Sequence, residues 1–182
     1  MDDTADRVID RETALAKFDH ARDDFLQAFA AVPDEALTYL PEGDDYTLGD
    51  LLAHVISSMY MYTFALDAMN ASSFGETRPF DEQGEHDLRE HDLRMKHIYA
   101  GDKGRAQVIE QLEAVHDRLA GKLREMAYED YSRQTPVYYR GAADPYPTRA
   151  GDFIDWLVDH YYEHVAQVNK MLGEWKEQSQ RT

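Results

Sequence analysis

Four long segments of the chain repeat their apolar residues every three to four positions, which is the period of an amphipathic α-helix. They predict helices at about 11–31, 48–69, 105–126 and 150–178. Pro33 ends the first helix, and Thr47 with Asp50 three residues later resembles a capping box at the start of the second. Thr148 is expected to cap the fourth helix, and no stretch of the chain predicts a β-strand.

Two long connections separate these helices. Residues 70–104 are polar and charged, and a connection of this length is either functional or contains a short helix, here predicted at about 85–99. Its three histidines, His86, His91 and His97, are expected to be exposed, and they are the reserve ligands or lid residues. Residues 127–147 contain five tyrosines, which line a pocket mouth, form a dimer contact or pack a loop onto the helices.

Four amphipathic helices joined partly by long connections predict an all-α fold, a four-helix bundle with crossover connections. The length of 182 residues favours a single domain, 1–182, whose first ten residues are expected to fray at the N-terminus. Helices of such a bundle place their inward side chains against one another, so a site can form from residues far apart in the chain.

The overall charge narrows the possible partners. The formal net charge is −17, which argues against nucleic acid and anionic membrane surfaces, because phosphate binding requires clustered Lys and Arg. No apolar run approaches the roughly 20 residues needed to cross a bilayer, and the N-terminus lacks the basic and apolar pattern of a signal peptide. We therefore expect a cytoplasmic protein with a small-molecule substrate.

The absence of cysteine restricts the chemistry further. It excludes disulfides, thiolate metal ligands and a cysteine nucleophile. A transition-metal site in this chain must be built from histidine and carboxylate side chains.

His160 and His164 are the first candidates for such a site. Residues i and i+4 share one face of a helix, and these two lie within an apolar stripe. Burying two imidazoles without polar partners costs on the order of several kcal/mol, and a metal ion is one such partner. His54 lies on the shoulder of the apolar stripe of the second helix, so it can also face inward. His20 is predicted on the solvent side of the first helix.

Three histidines on neighbouring helices match a catalytic metal site, in which three protein ligands leave a position open for water or substrate. Zinc, nickel and iron all accept imidazole, so the ligands do not select the divalent metal. The competing interpretation is a set of histidines at the core edge, bonded to tyrosine hydroxyls and carboxylates. His116 lies beside the apolar stripe of the third helix and is interpreted separately, as a helix-edge histidine satisfied by local hydrogen bonds, with a contribution to a site as the alternative.

Three further residues are candidates for orienting the imidazoles. Asp50 lies one turn before His54, although the capping box already explains it. Gln167 lies one turn beyond His164 on the same side and is the candidate most expected to face the site. Glu163 is more typical of a solvated charge.

Two segments resemble the DinB-like family, which is also described as the DinB/YfiT-like metalloenzymes. Residues 46–55, YTLGDLLAHV, are similar to the family segment that leads to a histidine ligand at the start of the second helix. Residues 160–167, HYYEHVAQ, are similar to its paired histidines in the fourth helix. The segment VPDEAL at 32–37, after the first helix, is also similar to the family, so the resemblance covers nearly the whole chain.

This resemblance implies an up-down-down-up four-helix bundle, often a homodimer, with a divalent metal held by His54, His160 and His164. It also implies metal-dependent hydrolysis, or transfer and isomerisation reactions that use low-molecular-weight thiols such as bacillithiol or mycothiol. No basic cluster beside the histidines is evident in the sequence to bind the carboxylates of such a thiol. The alternative hypothesis is a non-enzymatic stress-response protein that binds a small ligand within the bundle. A third hypothesis is a purely structural bundle whose chief partner is a second copy of itself.

Overall fold

The computed structural model describes residues 11–79, 104–139 and 142–181, in which five α-helices and two short strands are formed. The helices are α1 (Arg11–Ala30), α2 (Leu48–Ala71), α3 (Arg105–Glu125), α4 (Tyr128–Ser132) and α5 (Asp152–Ser179). A single 3₁₀ turn, Asp34–Ala36, follows α1. The four predicted long helices are confirmed, with ends that differ by one or two residues. The helix predicted at 85–99 and its three histidines lie outside the described residues.

The prediction that the chain has no strand was wrong. Strand β1 (Thr135–Val137) pairs antiparallel with β2 (Tyr146–Thr148), and Pro136 lies opposite Pro147. Each strand has three residues with a proline at its centre, so it is too short and too interrupted to show an alternating pattern.

The predicted cap of the last long helix was also wrong. Thr148 belongs to β2, and its hydroxyl lies 2.9 Å from the hydroxyl of Tyr139. Helix α5 begins instead at Asp152, whose carboxylate accepts a hydrogen bond from the backbone N–H of Arg149 at 2.7 Å. At the start of α2 the predicted capping box is confirmed, with Thr47 and Asp50 bonded reciprocally at 3.1 Å.

The apolar stripes of the four long helices form one hydrophobic core. The apolar residues that repeat along each helix are largely buried, for example Phe18 in α1, Leu52 in α2, Leu119 in α3 and Val168 in α5. None of the helices in the described parts of the chain is long and apolar enough to cross a membrane.

Contacts between side chains give the direction of each long helix. At the start of α1, Arg11 donates to the carbonyl of Met126, just after α3, and further along α1 Arg22 bonds Asp117. Helices α1 and α3 are therefore antiparallel. Helices α2 and α3 are parallel, because Asp67 in the last turns of α2 pairs with Lys122 in the last turn of α3.

Helices α2 and α5 are antiparallel. His54 near the start of α2 lies beside His164, and Tyr62, two turns later, lies beside Phe153 at the start of α5. Taken with the two pairs above, this gives directions of up, down, down and up for α1, α2, α3 and α5. Helix α1 packs mainly on α5, and α2 packs on both α3 and α5. The antiparallel α2–α5 pair positions the site.

Candidate metal centre

The three predicted ligands meet between α2 and α5. The ring centroids lie 5.2 Å apart for His54 and His160, 5.0 Å for His54 and His164, and 4.4 Å for His160 and His164. One ring nitrogen from each histidine lies within 4.8 Å of the others. His164 is buried, whereas His54 and His160 are half-buried, so the cluster has a closed side and a side toward solvent.

Burial keeps at least two of these imidazoles neutral. It lowers the pKa of His160 to about 3, and the neighbouring His164 and His54 add to this effect. Burial also lowers the pKa of His164, against smaller raising effects from its hydrogen bond to Gln167 and from the charge of Glu163. A neutral imidazole has a free lone pair, which is the form that binds a metal.

A short relay fixes which nitrogen of His164 carries the proton. Gln167 Nε2 donates to Asp44 Oδ1 at 3.2 Å, because a carboxylate can only accept. The other amide atom, Oε1, therefore faces His164 Nδ1 at 2.9 Å and accepts a hydrogen from it. The proton of His164 thus resides on Nδ1, and its Nε2 keeps an unshared lone pair.

That Nε2 is buried and has no hydrogen-bond partner among the residues that the structure describes. A buried polar nitrogen without a partner is unfavourable by about 1–3 kcal/mol, so an additional group at this position would relieve it. A divalent transition-metal ion fits this donor set, since borderline metals such as zinc accept three imidazole nitrogens.

Three residues that the sequence did not single out contact the cluster or Gln167 beside it. Ser58 Oγ lies 3.0 Å from His160 Nε2 and 3.1 Å from the carbonyl of His54, so it joins α2 to α5. Its position one turn after His54 was the available signal. Asp44 lies in the loop before α2, where no helical period predicts its orientation. Tyr46 packs its ring against His54 at 4.8 Å between centroids.

The three candidates for orienting the imidazoles, and the histidine predicted at the surface, have the following positions. Gln167 contacts His164 as expected, and Asp50 forms the capping box, so its effect on His54 stays a prediction. Glu163 is exposed, as expected of a solvated charge. His20 is confirmed on the surface, with 71% of its side chain exposed.

The interpretation of His116 as a helix-edge histidine with local partners was wrong. Its side chain is fully buried, and its partners lie on other helices: Asp19 at 2.9 Å and Tyr161 at 3.2 Å. It stacks on Phe18 at 3.9 Å between ring centroids. The error arises because a position beside an apolar stripe becomes buried when two other helices pack against it.

A four-helix bundle in which three histidines meet between two antiparallel helices is an arrangement that can hold a metal ion. The chain belongs to the DinB superfamily, whose family model matches residues 17–168. The resemblance noted in the sequence is therefore confirmed. A comparison with curated protein sequences gave no match.

Solved structures share the fold at low sequence identity. A mycothiol-dependent maleylpyruvate isomerase is 13% identical, with a TM-score of 0.66 over 88% of this chain, and the chain spans 61% of that protein. YfiT from Bacillus subtilis, described as a probable metal-dependent hydrolase with an unusual four-helix bundle topology, is 15% identical with a TM-score of 0.57. That match covers 91% of this chain and 87% of YfiT.

A further structural neighbour comes from Streptococcus pneumoniae. It is 13% identical to this chain, with a TM-score of 0.62, and the match covers 92% of this chain and 90% of that protein. At such identities the three neighbours establish the fold alone.

Proposed function

We propose that the protein is a divalent-metal-dependent enzyme in which His54, His160 and His164 hold the ion. The observation that carries this proposal is the buried Nε2 of His164, within the cluster of three imidazoles, which has no hydrogen-bond partner in the described parts of the chain. The family membership and the metal dependence named for YfiT support it. Zinc, nickel and iron all suit these ligands.

Three protein ligands leave a coordination position open, and the half-buried side of the cluster gives it access to solvent. An ion held there lowers the pKa of a bound water toward 7 and deprotonates a bound thiol. The chain contributes a fixed lone pair on His164 through Gln167 and Asp44. Ser58 donates its hydroxyl hydrogen to the carbonyl of His54, and its oxygen, beside His160, can accept a hydrogen bond from a group at the open position.

Water is the nucleophile that the charge of the protein favours. A low-molecular-weight thiol of the bacillithiol or mycothiol type would have to approach a protein of net charge −17, and bacillithiol also carries carboxylates. We therefore propose hydrolysis of a small molecule as the first reaction class and thiol transfer as the second. The second is retained because one structural neighbour is described as mycothiol-dependent.

Metal content tests the proposal directly. Protein purified without a histidine tag should contain about one ion per chain by elemental analysis, and the variant His160→Ala should contain much less. His20→Ala is the matched control, since it removes an exposed histidine outside the cluster and should leave the metal content unchanged. A wild type without metal, which takes up no more metal than His160→Ala, would contradict the proposal.

Turnover then separates the reaction classes. A hydrolase should cleave members of an ester and amide panel without added thiol, and activity should disappear with a chelator and return with metal. A thiol transferase should consume electrophiles only when bacillithiol or mycothiol is present. Stoichiometric metal with neither activity would favour the non-enzymatic ligand-binding alternative.

A further inference from the structure

The interface between α2 and α5 continues beyond the histidines toward the start of α5. Because the two helices are antiparallel, residues one turn later in α2 face residues one turn earlier in α5. Three layers follow one another in this register: His54 with His164, Ser58 with His160, and Tyr62 with Trp156. The third layer is aromatic and lies about 5.4 Å, one helical turn, from the second.

Trp156 is the centre of an aromatic cluster at this level. Four rings surround it with centroids at 5.8 to 6.4 Å, namely Phe153, Tyr62, Tyr139 and Tyr146. Two of them, Tyr139 and Tyr146, come from the aromatic connection that precedes α5. The sequence left open whether these tyrosines line a pocket mouth, and the structure places them against Trp156, two helical turns before His164 in α5.

The exposure of these rings differs from that of the core. Phe153 is fully buried, but Tyr62, Tyr139 and Trp156 are half-buried, and Tyr146 is 57% exposed. Half-buried rings that contact one another leave part of their apolar surface exposed. A small molecule can cover that surface while the packing of the core stays unchanged. Burial also raises the pKa of Tyr62, so its surroundings are weakly polar and would disfavour a charged group.

We propose that Tyr62, Trp156, Tyr139 and Tyr146 form a subsite for an uncharged aromatic group of the substrate. The reactive end of the same molecule then reaches the three histidines, one to two helical turns away. This inference rests on the proposed function for the reaction itself, but the aromatic subsite exists without the metal. The two can therefore be tested separately.

The first experiment uses the two tryptophans of the chain. In protein labelled with 5-fluorotryptophan, titration with benzyl alcohol should shift the ¹⁹F resonance of Trp156 saturably. Trp175 should not respond, because it lies about 28 Å further along α5. Trp156→Phe assigns the resonances, and cyclohexylmethanol tests whether an aromatic ring is preferred. Absence of a shift, equal shifts of both tryptophans, or an equal response to cyclohexylmethanol would overturn the inference.

The second experiment compares two metal-binding probes on the metal-loaded protein. Benzohydroxamate and acetohydroxamate share the group that binds the metal and differ in the aromatic ring. In the wild type, benzohydroxamate should bind about tenfold more tightly, and Trp156→Leu should lose most of this preference while its affinity for acetohydroxamate is unchanged. Tyr128→Leu, a change at an exposed tyrosine outside the cluster, is the matched control and should keep the preference.

The outcomes distinguish the two proposals. A preference that persists in Trp156→Leu would overturn the aromatic subsite and leave the metal site intact. A ¹⁹F shift at Trp156 in a protein that binds no metal and neither hydroxamate would support the subsite and contradict the proposed function.

Discussion

At His164, the two ring nitrogens have different surroundings, and this difference makes the residue suited to bind a metal. Nδ1 donates to Gln167, which is held in turn by Asp44, while Nε2 is buried without a partner among the described residues. The relay removes the choice between tautomers before any ion binds. Its loss should therefore weaken metal binding without removing a ligand.

Replacing Gln167 by Leu should lower the metal affinity by about 10- to 100-fold, because the proton of the neutral His164 ring can then lie on either Nδ1 or Nε2. The affinity is measured by competition with a chelating dye, and the ¹⁵N shifts of the His164 ring in metal-free protein report the tautomer directly. Asn169→Leu, at an exposed position on the same helix, is the control. Unchanged affinity together with an unchanged Nδ1–H tautomer would show that the relay has no such role.

The residues of this site differ in how far the sequence could predict them. The helical period places His160, His164 and Gln167 on one side of a helix. His54 lies at the shoulder of another apolar stripe, and the family resemblance supports it as the third ligand. Asp44 has no such pattern, because a loop residue is positioned only by the tertiary structure. Ser58 was predictable in principle, as it lies one turn beyond His54.

At the scale of single elements, the long helices were predictable because each repeats its apolar period over five turns or more and has recognisable ends. The strands were not predictable, because three residues are too few to show a period. The start of α5 differed as well. The helix begins at Asp152, directly after Gly151. A Cβ added at Gly151 would lie 3.0 Å from the ring and hydroxyl of Tyr131, so the need for glycine here comes from a contact with a residue distant in the chain.

Glycine substitutions at the two ends of α5 should have opposite effects on stability. Tyr131 is 1% exposed and cannot easily move, so Gly151→Ala should destabilise the protein by about 1–3 kcal/mol. Around Gly173, within α5, no atom of the described residues lies within 4 Å of an added Cβ, so Gly173→Ala should stabilise by roughly 0.5–1 kcal/mol through its helix propensity. Urea unfolding of both variants measures these changes, and a change of the same sign in both would contradict this account.

At the scale of the whole molecule, the sequence predicted four helices and their apolar faces but not which faces meet. The up-down-down-up arrangement was implied by the family resemblance, because apolar periodicity does not specify the order of helices around a core. His116 shows the consequence. Its position beside the stripe of α3 looked like a helix edge, yet α1 and α5 cover it completely.

The network around His116 joins three of the four long helices. The carboxylate of Asp19 in α1 accepts from Nε2–H of His116 at 2.9 Å, which leaves Nδ1 of His116 to accept from the hydroxyl of Tyr161 in α5 at 3.2 Å. Tyr161 lies between His160 and His164 in sequence. The network therefore also holds the turn of α5 that carries two of the candidate ligands.

This network should make folding stability depend on pH. Burial lowers the pKa of His116 below its ordinary 6.5, despite the hydrogen bond to Asp19 that raises it, and the charge of Arg22 lowers it further. Below about pH 6.5 the unfolded chain binds a proton at this histidine that the folded protein does not, so the stability contributed at neutral pH is lost as the pH falls. The free energy of unfolding of the wild type, relative to His116→Gln, should therefore decrease from about pH 7.5 to about pH 5.5.

Urea unfolding of metal-free protein in excess chelator measures this difference, since metal binding is itself pH-dependent. Groups common to both proteins, including His160 and His164, cancel in the comparison as long as they do not couple to the substituted site. His20→Gln, the same change at an exposed histidine, should run parallel to the wild type at every pH. If His116→Gln also ran parallel to the wild type, burial would not lower the pKa of His116, and this explanation of the pH dependence would be wrong.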